Sequence, residues 1–290
     1  MTSFTQFDHI RKSYNLNGFV VTPQIFAKDE IDSVRTVIQR AVHSRLTGSA
    51  PVKDRHIGLV TDRYTEQFTQ CLNLWEDHTD VAEIVQDLRL TKIAATLLDA
   101  STVRLWQDQA LFKPSGGAPT YAHQDNAYWP MDTARCVTAW IPLSSEHSSL
   151  NTGAMGYVPG SHLAGSCYFQ DIAHIDETQL LEANESTFLA RPDWQGHKPV
   201  YVETDPGTVI WHNGLTVHRA LANTSGHPRE VFTVVYFADG VKRGSLLSSR
   251  ADVPHFVTDD TNQRIATGEP LASTRMPIVY DTSANGQSRL

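Results

Sequence analysis

The chain has 290 residues, 40% of them hydrophobic and 19% charged, with six tryptophans, the profile of an ordinary soluble globular protein with a sizeable core. A net charge of −8 and the lack of any basic run exclude nucleic acid as a main partner, because phosphate contact needs clustered Lys and Arg. No apolar stretch is long enough to span a bilayer. The N-terminal Met1-Thr2-Ser3-Phe4-Thr5-Gln6 does not read as a signal peptide. Three scattered cysteines, Cys71, Cys136 and Cys167, fit reduced thiols in a cytoplasmic protein better than a disulfide framework.

In chain order, residues 5–16 read as a short helix and Gly18-Phe19-Val20-Val21 as a strand entered through a turn. From Asp29 to Arg45 the apolar positions Ile31, Val34, Ile38, Ala41 and Val42 recur at helical spacing. Further helical stretches are predicted near 65–76 and 79–99. These helices, spanning about 1–100, carry no chemistry and serve as scaffold. Beyond residue 101 the pattern changes to short β-branched and aromatic runs separated by Gly, Pro, Asn and Ser. Strands are predicted at 103–113, 121–125, 135–143, 153–159, 199–204, 207–212, 215–219 and 229–238. That density predicts a mainly β fold with flanking α-helices, a jelly-roll core over about 101–240 packed on the N-terminal helices. No linker or repeat divides the chain, so a single domain over 1–290 is expected. Residues 163–198, with a helical patch at Thr178–Leu189, read as an insertion over one barrel end, and 245–290 as a peripheral tail.

The chemistry concentrates in Tyr121-Ala122-His123-Gln124-Asp125. On an extended strand His123 and Asp125, at i and i+2, point to one face. They form two parts of a facial 2-His-1-carboxylate metal triad, which leaves coordination positions open for iron(II) oxygen chemistry. His218, in Thr216-Val217-His218-Arg219, is the candidate third ligand, with His212 as its competitor. Arg229 follows His218 by eleven residues, and a turn through Asn223–His227 would return its strand beside His218. A buried arginine needs a partner. Beside a metal it calls for a carboxylate ligand held in bidentate fashion, and the dicarboxylate 2-oxoglutarate fits, one end on iron and the other on the arginine.

His123-x-Asp125, Thr138-Ala139-Trp140, Gly153 with Val158-Pro159-Gly160-Ser161-His162, and Gly207 leading to His218 and Arg229 together resemble the phytanoyl-CoA dioxygenase family of Fe(II)/2-oxoglutarate oxygenases, over about Gly18 to Tyr236. The resemblance implies a double-stranded β-helix core, with His123, Asp125 and His218 as iron ligands, Arg229 as cosubstrate anchor, Gln107 as a further 2-oxoglutarate contact and Trp140 near the site. Cofactors implied are iron(II), 2-oxoglutarate and O2, and the reaction is hydroxylation or another oxidation of a C–H bond in a small organic substrate, with release of succinate and CO2. Two features qualify the match. Where the family often has Gly-Ser after the distal histidine, this chain has Arg219-Ala220, so one hydroxyl contact to the cosubstrate is missing. Asp125 is intact, unlike in halogenating variants, where a small residue vacates a site for chloride. His162 reads as part of a structural turn, Tyr128 and Trp129 as candidate pocket walls, and the 50–65 loop and the 163–198 insertion as lids. A rival reading is a non-redox metal protein on the same barrel, a cupin-like isomerase or a small-molecule binding module, which would need neither the Arg229 anchor nor 2-oxoglutarate.

Overall fold

In the computed structural model, residues 2–48, 68–144, 147–170, 172, 178–194, 196–247, 254 and 256–282 are described. Two antiparallel sheets form the core. Strand β1 (Phe19–Thr22), β8 (Val209–Asn213), β5 (Cys136–Pro142), β10 (Arg229–Ala238), β3 (Thr102–Lys113) and β11 (Ile278–Asp281) run side by side in that order, and β2 (Thr69–Leu72) also pairs with β3. The second sheet runs β4 (Thr120–His123), β9 (His218–Ala220), β6 (Met155–Tyr157), β7 (Val200–Val202). This is the expected jelly roll. Its central strand β10 is buried along its whole length, and Val231, Phe232, Val234, Val235, Tyr236 and Phe237 can therefore be apolar without alternation.

Helices α1 (Thr2–Asn17), α2 (Lys28–Thr47), α3 (Thr79–Val85) and α4 (Leu88–Leu98) cover the outer face of the larger sheet. Ile31, Ile38, Val81, Val85, Leu90 and Ala94 pack with Val103, Val137, Trp211, Phe232 and Tyr236 in one core cluster. Removing these side chains from water stabilises the packing of the helices on the sheet, at roughly 25 cal/mol per Å² of apolar surface.

Three sequence expectations are corrected. The stretch 65–76 is not helical where described: residues 69–72 form β2, in register with 109–112 of β3, and Leu74–Glu76 is a single 3-10 turn. The stretch 79–99 is two helices, because the Asp87 side chain accepts the Arg89 N–H and caps a new start. The tail is not peripheral. β11 pairs with β3, and Phe256, Val257, Ile265, Leu271 and Met276 are buried against Trp106, Trp129, Val235 and Phe237 in a second core cluster. The helical patch of the insertion is helix α5 (Thr178–Leu189). The 50–65 loop lies outside the described residues. Among the described residues, no helix is long and apolar enough to cross a membrane.

Candidate metal and cosubstrate site

His123 ends β4, and Asp125 opens a 3-10 turn (Asp125–Tyr128) rather than continuing the strand. The expected strand 121–125 thus ends two residues early, at His123, and it is the turn that brings the carboxylate toward the histidine. The turn is held in place. Asn126 N–H donates to Gly214 O at 2.9 Å, and the wholly buried Gln124 side chain donates to Ser166 O (2.9 Å) and Leu215 O (2.8 Å) and accepts from Tyr168 N–H (2.9 Å). Gln124 ties the turn to the start of the insertion and to the β8–β9 connection, a role the sequence pattern did not signal.

His218 lies opposite His123 in the β4–β9 pairing. His123 Nε2 is 3.6 Å and His218 Nε2 3.4 Å from Asp125 Oδ1. Each histidine faces a backbone carbonyl through its other nitrogen: His123 Nδ1 with Tyr121 O at 2.8 Å, His218 Nδ1 with Thr216 O at 2.9 Å. A carbonyl only accepts, so both Nδ1 atoms carry hydrogen and both Nε2 lone pairs point inward. The three donor atoms lie within 4.8 Å of one another. Two buried imidazole nitrogens fixed in tautomer and one half-buried carboxylate oxygen fit iron(II). Burial and then His218 push the His123 imidazole below its ordinary value, which keeps a lone pair available. For Asp125, burial opposes ionisation, but the surrounding histidines outweigh it, His212 by donating to Oδ2, and hold the carboxyl well below the usual range.

His212 does not replace His218. Its Nε2 sits 3.1 Å from Asp125 Oδ2, and Thr138 Oγ1 donates to the same oxygen at 3.0 Å.

A cavity of about 120 Å³ opens onto the triad. Besides His123, Asp125 and His218, its wall includes Trp140, Arg219, Arg229, Gln70, Gln109 and the apolar Leu111, Met155, Ile172 and Val235. Arg229, at the start of β10, is 6% exposed; its guanidinium sits 5.9 Å over the Trp140 ring and donates through Nη1 to Gly153 O. Gln107 is buried on β3 opposite Val235 but does not form part of the cavity wall; Gln109, two residues on, does, and it accepts from Gln70 at 3.0 Å. Gln70 was out of sight because its strand read as helix. Of the aromatics after the triad, Tyr128 turns its ring edge on His123 at 5.9 Å, whereas Trp129 packs into the second core cluster; neither lines the cavity. Ser161 and His162 secure the Pro-Gly turn, with Ser161 Oγ accepting from Val217 N–H at 2.9 Å and His162 Nε2 on Asn15 O at 3.1 Å.

Arg219 points to Glu185 on α5, Nη1 to Oε2 at 3.0 Å, and Glu185 Oε1 also accepts the Ala122 N–H at 2.7 Å. The β4–β9 register slips between Thr120 and His123, which leaves that N–H free of the ladder. One carboxylate thus joins the insertion to residues adjacent to both histidines.

A family model for phytanoyl-CoA dioxygenase matches residues 14–231. The chain is 24% identical over 265 residues to a phytanoyl-CoA dioxygenase domain-containing protein 1 homolog of Caenorhabditis elegans, covering 78% of this chain and 88% of that protein. It is 31% identical over 196 residues to a probable alpha-ketoglutarate-dependent hypophosphite dioxygenase of Stutzerimonas stutzeri, covering 63% and 65%. Among solved structures, the non-heme alpha-ketoglutarate-dependent carbocyclase SnoK from nogalamycin biosynthesis superposes with a TM-score of 0.68 at 24% identity over 93% of this chain and 95% of that one. EctD from S. alaskensis with 2-oxoglutarate and 5-hydroxyectoine superposes with a TM-score of 0.67 at 21% identity, over 93% and 86%. With that model covering most of its length, the chain belongs to the phytanoyl-CoA dioxygenase family.

Proposed function

We propose that His123, Asp125 and His218 hold iron(II), that Arg229 anchors the distal carboxylate of 2-oxoglutarate, and that the substrate is a small organic molecule oxidised at a C–H bond. The class of the enzyme follows from its family: an Fe(II)- and 2-oxoglutarate-dependent dioxygenase, with O2 as the other cosubstrate. Bound iron, 2-oxoglutarate and O2 supply the oxidising power, with succinate and CO2 as co-products. The observation that carries the residue assignment is the convergence of three inward donor atoms and one buried guanidinium on a single cavity.

The chain's own part is positional. The carbonyls of Tyr121 and Thr216 fix the histidines, and Thr138 and His212 fix the aspartate. Arg229, held by Gly153 O and the Trp140 face, brings a buried positive charge to the cavity wall, which suits a carboxylate. Gln109 and Gln70 supply polar contacts on the cavity wall, and Gln107, on the same strand, is kept as a candidate 2-oxoglutarate contact. Leu111, Met155, Ile172 and Val235 limit water at the reacting centre. The 163–198 insertion is assigned as the element that shapes the substrate side, and hydroxylation as the outcome. The names of relatives, one for hypophosphite and one for ectoine, support a small polar substrate. A single catalytic domain and a cytoplasmic setting, in keeping with three free thiols, complete the proposal. The non-redox reading is not favoured, since the family match and the dioxygenase relatives speak for oxygenase chemistry.

The test is an anaerobic titration of 2-oxoglutarate into the iron(II)-loaded protein, followed by absorption. Saturable binding is expected, weakened on the order of 100-fold in Arg229→Leu, which removes a charge-assisted pair worth about 1.5–3 kcal/mol. Equal binding in the variant would remove Arg229 from the proposal.

A further inference from the structure

Asp125 must present one oxygen to the metal and keep the other away from it. A carboxylate that swings into bidentate coordination would occupy a position that the cosubstrates need. The structure holds the second oxygen from two sides. Thr138 and His212 are register partners on β5 and β8, so their side chains emerge together from one sheet and meet Oδ2 at 3.0 and 3.1 Å. Oδ1 is the oxygen nearest both candidate histidine ligands, at 3.6 and 3.4 Å. An ionised carboxylate only accepts hydrogen bonds, so His212 Nε2 carries the hydrogen and Nδ1 carries the lone pair. The hydroxyl of Tyr157, buried completely, faces that Nδ1 at 3.4 Å. Tyr157 is itself braced, stacked on Phe19 with ring centroids 4.7 Å apart and paired in register with His218.

We infer that His212 is a positioning residue for the metal centre: with Thr138 it restrains Asp125 to coordination through Oδ1 alone, and Tyr157 sets its tautomer. This rests on the metal site proposed above. His212 is thus the third histidine of the site and serves it without ligating the metal. Its ring lies 4.5 Å from that of His218, yet its inward nitrogen is committed to the carboxylate. Thr138, His212 and Tyr157 act as one unit, drawn from strands β5, β8 and β6.

The experiment is cobalt(II) titration of the metal-free full-length protein, followed by the visible ligand-field spectrum, which reports coordination number. Wild type, His212→Phe, His212→Gln and Thr138→Val are compared, with thermal denaturation as a folding control. His212→Phe is expected to weaken cobalt binding on the order of 10–100-fold, the usual effect of losing a hydrogen bond to a ligand, and to shift the bands toward higher coordination. His212→Gln, whose amide N–H reaches for the same oxygen, is expected to restore most of the affinity and the wild-type bands. Thr138→Val, a smaller perturbation of the fold, is expected to weaken binding in the same direction as His212→Phe. Wild-type affinity and bands in both His212→Phe and Thr138→Val would overturn the inference, leaving the pair as packing. Equal loss in His212→Gln and His212→Phe would also overturn it, because a ligating His212 behaves that way. Absence of cobalt binding by the wild type would instead defeat the metal site itself, and the inference with it.

Discussion

Lys113 is 1% exposed, at the end of β3, and stands opposite Arg229 in the sheet register. Its amine donates to Leu221 O at 3.1 Å and reaches Thr120 Oγ1 at 3.5 Å, with no carboxylate among these partners. Burial, then the charges of Arg229 and Arg219, push its pKa from 10.5 down to about 6. At neutral pH the folded chain therefore carries a largely uncharged amine, whereas the unfolded chain carries an ammonium. Between pH 6 and 10.5 the unfolded state binds the extra proton, so this residue makes the protein more stable as pH rises and least stable toward the lower end of that window. At about 1.36 kcal/mol per unit, the penalty is about 5 kcal/mol at pH ~7 and about 2 kcal/mol at pH ~9. Replacing Lys113 by Met keeps a buried unbranched chain and forfeits a hydrogen bond worth about 1 kcal/mol. Lys113→Met is accordingly expected to be more stable than wild type by about 4 kcal/mol near pH ~7, an advantage that shrinks by about 3 kcal/mol by pH ~9. Urea denaturation of the metal-free protein at both values reads this out, and the other titrating groups cancel between the two proteins. A variant less stable than wild type at pH 7 with an unchanged pH slope would refute the reasoning, because the amine would then be charged and satisfied in the fold.

Two other perturbations test how the site is held. Gly153 has φ +88°, and a Cβ there would lie 2.7 Å from Leu221 O and 3.4 Å from Arg229 Nη1; Gly153→Ala is expected to lose at least about 1–2 kcal/mol of stability and to bind 2-oxoglutarate several-fold more weakly with metal affinity unchanged, as calorimetric titration would show. Glu185→Gln removes the charge facing Arg219 and weakens the hold on Ala122 N–H. With the Arg219 side chain 19% exposed, a loss of about 1–3 kcal/mol is expected, below the range for a fully buried pair, with faster proteolytic cleavage within 178–189.

The grouping of His123, Asp125, His218 and Arg229 around one cavity was legible from two short spacings, His123 to Asp125 and His218 to Arg229, although Asp125 lies on a turn rather than on the strand and β9 and β10 belong to different sheets. What supports them was not, because it depends on pairings between distant strands. Thr138 and His212 become neighbours only through the β5–β8 register, and Glu185 reaches Ala122 only because the β4 register slips. Cys71, Leu72, Leu74 and Trp75 have helix-like spacing, yet 69–72 pairs with 109–112 of β3, and tertiary pairing overrode the local pattern. The tail carries no period at all; Phe256, Ile265 and Met276 are buried by docking on Trp106 and Phe237, which a scan for periodicity does not register. The Asp87 cap, by contrast, was visible as an Asp before a fresh apolar period and should have divided the 79–99 helix.

The most direct test of the account is succinate formation from 2-oxoglutarate when the anaerobic, iron(II)-loaded protein is exposed to air, for wild type and His218→Ala. The account predicts slow, iron-dependent succinate from the wild type even without its substrate, and none above background from the variant. Succinate at the same rate from both proteins, or a wild type that neither forms succinate nor binds 2-oxoglutarate when loaded with metal, would contradict it.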